Sequence, residues 1–332
     1  MKPFGANEVK EIDLTSKRAQ ALLNEYKGNL YEFLVGKELA RIYKVEDQFY
    51  QSLLPSFVRM LSLQQVFLKK YYPHLLVDLP SLAQNLAKKI QAEVLFDVEK
   101  VLLVGKSNRM GHEGDLVLLG QKGQIQYVGI KLSKAKAFVN TKSAGVKSFL
   151  KKYFSTAGQH YQEEFNQFFD QSYTQLCFDL FDQNGLNFEG SFEEWKRLGL
   201  SELPGELPQE LRSIYLDFQH RVASKLAEFV EKILELESPL SLLPLLGHGD
   251  SRLLNAKTYY TVKNHHYCQD KHVVDSTYTL EQEVAKGFSF VPSGKSHFEL
   301  RFKNKTLQMR IKAMNKFSTG GFKINCSVKD RD

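Results

Sequence analysis

Cysteine is scarce. Cys177, Cys268 and Cys326 are the only three in 332 residues. Three widely spaced thiols exclude a disulfide framework and point to a reducing cytoplasm. Long apolar runs are missing too. No stretch approaches the roughly 20 residues of a membrane-crossing helix, and Met1-Lys2-Pro3-Phe4-Gly5 lacks the apolar centre of a signal peptide. Neither a GxGxxG turn nor a Walker-type loop is present, so no nucleotide cofactor is expected. No internal repeat or low-complexity segment interrupts the chain, whose length suits one large domain or two ordinary ones.

Charge is present but uneven. The net charge is +7. Residues 131–153 hold seven lysines and no acid, 160–240 hold 16 acids against six Lys or Arg, and 295–332 hold ten basic residues against three acids. Localised positive stretches of this kind suit a phosphate backbone, although a lysine cluster is also an ordinary solvated surface.

The most informative stretch is Gly111-His112-Glu113-Gly114-Asp115-Leu116-Val117-Leu118-Leu119, followed after a polar turn by Tyr127-Val128-Gly129-Ile130-Lys131. Read as a hairpin, it sets a carboxylate at the start of one strand beside a lysine at the end of the next. That pair suits metal-assisted phosphodiester cleavage: the carboxylate holds a divalent cation and the lysine positions water and offsets phosphate charge. The bland readings are a turn-capping Asp115 and a solvated Lys131.

Helical spacing covers 13–45, with Thr15 or Ser16 as cap and a break expected at Lys27-Gly28-Asn29. Helices are also expected over 46–73 and 80–95, punctuated by Pro73 and Pro80, over 143–170, and over 211–236. The last of these reads as a half-buried structural helix that could also serve a dimer contact. Strand-like runs occupy 101–104, 116–119, 125–132, 258–262, 298–302, 307–311 and 322–328. Phe149, Phe154, Phe165, Phe168 and Phe169, with Tyr153 and Tyr161, fall at helical spacing and read as core.

The succession of a helix bearing Glu32 in Lys27-Gly28-Asn29-Leu30-Tyr31-Glu32-Phe33, a strand opened by Gly114-Asp115 and a strand closed by Gly129-Ile130-Lys131 resembles the PD-(D/E)XK nucleases of the type II restriction endonuclease kind. The stretch 307–328, with Arg310-Ile311-Lys312, is similar to their C-terminal strands. The resemblance implies an α/β fold with a central mixed β-sheet flanked by helices and a helical acidic middle segment. The expected parts are a nuclease core over 1–155, the acidic segment over 156–245 and strands over 246–332 packing with the core. It also implies a bacterial cytoplasmic enzyme, dependent on Mg2+, that cuts double-stranded DNA by attack of water on phosphorus, leaving a 5′-phosphate. Such an enzyme often acts as a homodimer. Asp115 would then bridge metal and phosphate, Glu32 would bind the metal directly or through water, the Ile130 carbonyl would be a further ligand, and Lys131 would orient the water. One position departs from the pattern. Gly129 stands where the family has an acid, which leaves room for an inactive DNA-binding scaffold or for a repair or defence nuclease with a different substrate.

Ser133, Lys134, Asn140, Thr141, Lys142 and Ser143 follow directly; Lys134, Asn140, Lys142 and Ser143 are the expected DNA contacts, through phosphates or base edges. His265, His266, Cys268 and His272 have zinc-ligand chemistry, but their spacing fits no standard site. No nucleophile elbow surrounds Ser251, and no cysteine sits in a nucleophile signature.

Overall fold

A computed structural model describes residues 14, 16–104, 114–292, 294 and 296–331. Among them lie nine helices and ten strands. In chain order these are α1 (Lys17–Tyr43), α2 (Glu46–Ser52), α3 (Pro55–Tyr71), α4 (His74–Glu93), β1 (Val98–Leu103), β2 (Leu116–Gly120), β3 (Ile125–Lys134), β4 (Val139–Gly145), α5 (Phe149–Tyr153), α6 (Thr156–Asp182), α7 (Glu193–Arg197), α8 (Gln209–Leu236), β5 (Leu253–Lys263), β6 (His266–Asp275), α9 (Thr277–Ala285), β7 (Ser289–Pro292), β8 (His297–Arg301), β9 (Lys305–Ala313) and β10 (Phe322–Asp330). The α/β expectation holds at this level, but the strands form two sheets rather than one.

The chain divides into two compact units, Met1–Ala135 with Arg252–Ser276, and Lys136–Ser251 with Thr277–Asp332. The division falls elsewhere than the expected boundaries near 155 and 245. Hydrogen bonding decides it: β5 and β6 join the first sheet, whereas β4 joins the last strands of the chain.

In the first unit the order is β1-β2-β3-β5-β6. The pair β3·β5 is parallel and the other neighbours are antiparallel, which makes the sheet mixed. Leu116, Leu118, Val128, Ile130, Leu254 and Ala256 form one face and pack with Leu30, Val35 and Leu39 of α1 and Leu79, Leu86 and Ile90 of α4. Val117, Tyr127 and Leu253 lie on the opposite face. The expected break in α1 is absent. Ser16 caps the helix by accepting the Ala19 N–H at 3.1 Å. Lys27 and Asn29 are buried, and Asn29 donates to the Gln64 side chain at 3.1 Å, so tertiary contacts carry the helix through Gly28. Pro80 likewise lies inside α4 rather than before it.

In the second unit the order is β4-β10-β9-β8-β7, all antiparallel. Its core joins these strands to α6 and α8 around Trp195, Phe165, Phe169, Phe218 and Phe229. The aromatic cluster is core, as its spacing indicated. The apolar face of α8, from Leu211 through Phe218 and Leu226 to Ile233, is buried within its own unit.

Candidate functional site

The β2–β3 ladder runs from Leu119↔Ile125 to Leu116↔Val128, and one further bond extends it, from the Asp115 N–H to the Val128 carbonyl at 2.9 Å. Beyond that point β3 continues without β2. The Asp115 side chain takes over at the fork: its Oδ2 accepts the Ile130 N–H at 2.6 Å. The Asp115 carbonyl accepts the Val104 N–H at 3.0 Å, so backbone and side chain are both held. Gly114 makes this possible. Its φ of +152° is one that side chains disfavour, and a Cβ there would lie 3.2 Å from the Val128 backbone. Gly111, His112 and Glu113 lie outside the described residues.

Lys131 completes the pair. Its Nζ lies 3.4 Å from the same Asp115 Oδ2, with the lysine side chain about half exposed. Among the described residues nothing hydrogen-bonds to Asp115 Oδ1. In an extended strand the N–H and C=O of one residue leave on the same side. The Ile130 carbonyl therefore leaves β3 on the same side as its N–H. A carboxylate oxygen and a main-chain carbonyl on one side of the fork make an oxygen donor set that fits Mg2+ with retained waters better than it fits zinc.

Glu32 is not joined to this pair. It makes neither a hydrogen bond nor an ion pair with Asp115 or Lys131, though it has a partner elsewhere. It lies one helical turn from Gly36, and a Cβ on Gly36 would lie 3.1 Å from Leu116, the residue after Asp115. Gly129 is occupied from the side. Asn255, its register partner on β5, puts Oδ1 3.0 Å from where a Gly129 Cβ would stand.

The expected DNA contacts separate. Lys134 ends β3 in the first unit, whereas Asn140, Lys142 and Ser143 are strand residues of β4 in the second. No strand was expected there, and the helix expected from 143 begins later; pairing with Asn325, Cys326 and Ser327 of β10 makes 139–145 a strand. The Asn140 side-chain oxygen accepts from Asn325 and from Ser327, each at 2.8 Å, leaving its NH2 for outside contacts.

The histidines do not assemble. Asn264 and His265, with φ of 49° and 69°, form the two-residue turn of the β5–β6 hairpin. His266 pairs with Asp78 at 3.0 Å, and His272 is buried against the Thr258 hydroxyl at 2.6 Å. Among the described residues no group of three or more His, Cys, Asp or Glu is placed to hold a metal.

No protein-family model, curated protein or solved structure matches this chain.

Sequence reasoning found the strand at 258–262 but missed β6 and the parallel place of β5 beside β3. Lys257, in register with Lys131, forms a buried 2.9 Å ion pair with Asp275. The parallel β3·β5 pairing sets Asn255 beside Gly129 and Lys257 beside Lys131, and Asp275 lies one strand further on, in register with Asn255. A lysine inside the apolar run of β5 was the available signal.

Proposed function

We propose that the protein is a Mg2+-dependent endonuclease of double-stranded DNA, with Asp115 and Lys131 at its centre. The observation that carries this reading is the shared Asp115 Oδ2. It holds the Ile130 N–H and lies 3.4 Å from the Lys131 ammonium, while Oδ1 is turned to neither. When bound, Mg2+ supplies positive charge against the phosphate and a site of ordered water. Asp115 Oδ1 and the Ile130 carbonyl would hold it, with Glu32 binding it directly or through a water. Lys131 orients the water that attacks phosphorus and offsets the charge that develops on the phosphate oxygens. The proposed DNA contacts are Lys134 in the first unit and, on β4 of the second, Asn140, Lys142 and Ser143.

A second reading has its own observation. Gly129 carries no acid, and the Asn255 side chain stands beside it. A DNA-binding protein on this scaffold without cleavage follows if that position is indispensable.

Purified protein incubated with unmethylated plasmid and phage DNA, with Mg2+ or with EDTA, tests the two. Mg2+-dependent fragments are expected. Intact DNA that still shifts in a binding gel would replace the first reading by the second.

A further inference from the structure

A cavity of about 450 Å³ lies within the first unit, separate from Asp115 and Lys131, and Lys27 of α1 lines it. Lys27 is only 6% exposed. Its Nζ donates to the Tyr260 hydroxyl at 3.0 Å and to the Tyr267 hydroxyl at 3.5 Å. The two tyrosine rings stack with centroids 4.1 Å apart. Among the described residues no carboxylate lies within 4.0 Å of this ammonium. Two of its three protons are directed to phenol oxygens, and the third is left.

A buried cation with neutral partners is costly. A methionine would fill the same volume without the desolvation. Here a second cation, Lys134, lines the same cavity, and among the described residues no acid does. Burial lowers the Lys27 pKa to about 8, and the Lys134 charge adds to the effect. Asn24 and Gln20 add amide donors, and the rings of Tyr72 and His74 add flat walls.

We propose that this cavity binds a phosphomonoester, held by Lys27 and Lys134. A monoester phosphate carries close to two negative charges at neutral pH and three terminal oxygens. It matches two lysines and several neutral donors, where a carboxylate would balance only one lysine. The proposal shares Lys134 with the proposed DNA contacts but uses neither Asp115, Lys131 nor Glu32, and its test needs no cleavage.

The full-length chain is titrated by calorimetry with inorganic phosphate, adenosine 5′-monophosphate and a 5′-phosphorylated trinucleotide, and with adenosine and the unphosphorylated trinucleotide as controls. Phosphate-bearing probes are expected to bind and the controls not to. The tightest probe identifies the source: free phosphate, a nucleotide or a nucleic-acid end. Lys27→Met and Lys134→Met should each weaken binding at least about tenfold. Lys134 is exposed, so its variant keeps the test valid if Lys27→Met fails to fold. Binding should also weaken from pH 7 to pH 9. Free Lys27 loses its proton near pH 8, while His74, its pKa lowered chiefly by burial, is already neutral at pH 7. Tyr260 and Tyr267, whose pKa values burial raises, stay protonated throughout. Equal binding of adenosine and its monophosphate, no binding of any probe, or wild-type affinity in a folded Lys27→Met would overturn the proposal.

Discussion

The Asp115 carboxylate accepts the Ile130 N–H at 2.6 Å where β2 and β3 part, so one side chain both replaces a missing ladder bond and faces Lys131. Removing it affects structure and chemistry together, and the replacements must separate these effects. Asp115→Asn keeps a hydrogen-bond acceptor for Ile130 but removes the charge. Cleavage by Asp115→Asn and by Lys131→Ala is expected to fall on the order of 10²–10³-fold, with DNA affinity within about threefold of wild type. Rates come from plasmid digestion and affinities from gel shifts. Wild-type cleavage by either variant would remove the assignment.

Gly114→Ala tests how Asp115 is delivered. A φ of +152° and a 3.2 Å approach to the Val128 backbone make a methyl group there strained and crowded. The cost expected is about 1–3 kcal/mol, seen as a lower urea midpoint at unchanged slope, with cleavage reduced. Unchanged stability would mean that the turn relaxes freely.

Gly129→Glu places an acid two residues before Lys131, but Asn255 Oδ1 stands 3.0 Å from the new Cβ. The single variant should lose stability. Combined with Asn255→Ala, it should lower the Mg2+ concentration for half-maximal cleavage by about tenfold. A folded double variant with the wild-type Mg2+ requirement would place the metal shell elsewhere.

Lys257 and Asp275 form a buried pair at 2.9 Å. Asp275→Asn leaves the lysine without its carboxylate, at a cost of about 3–5 kcal/mol. Lys257→Met with Asp275→Leu should cost less than either single change. A double variant as unstable as the sum would show that the pair contributes nothing as a pair.

His272 gives the fold an acid sensitivity. Its pKa is lowered from 6.5 to about 4, first by burial and then by the Lys89 charge. Between those values the unfolded chain binds the extra proton. Stability is therefore complete above pH 6.5 and falls as the pH drops towards 4, by on the order of 2–3 kcal/mol. Thermal unfolding at pH 7, 5.5 and 4.5 reads the slope, and His272→Gln should flatten it. An equal slope in the variant would assign the sensitivity to other groups.

Local patterns foretold what local patterns govern. The apolar runs of β2, β3 and β8 to β10, the Ser16 cap, the aromatic core positions and the proximity of Asp115 to Lys131 were all legible, because each depends on residues close in sequence or on a single hairpin. The continuity of α1 through Gly28 was not, since Lys27 and Asn29 owe their burial to β5, β6 and α3. Strand β4 was hidden because Val139 to Gly145 lacks an apolar alternation and is fixed by β10, far along the chain. The parting of Lys134 from Asn140, Lys142 and Ser143 follows from the same pairing. Lys27 was read only as part of a motif, because nothing beside it in sequence announces Tyr260 and Tyr267.

The parallel pairing of β3 with β5 has a consequence for how the chain is made. Residues 136–251, most of the second unit, are synthesised between these two strands. During translation the β3 edge that will receive β5 stays open until the polymer has grown past all of them. Closure of the first sheet is thus a late, long-loop event, slower than the formation of the β2–β3 hairpin. Refolding should show an early hairpin and helical phase and a late phase in which Tyr260 and Tyr267 become buried.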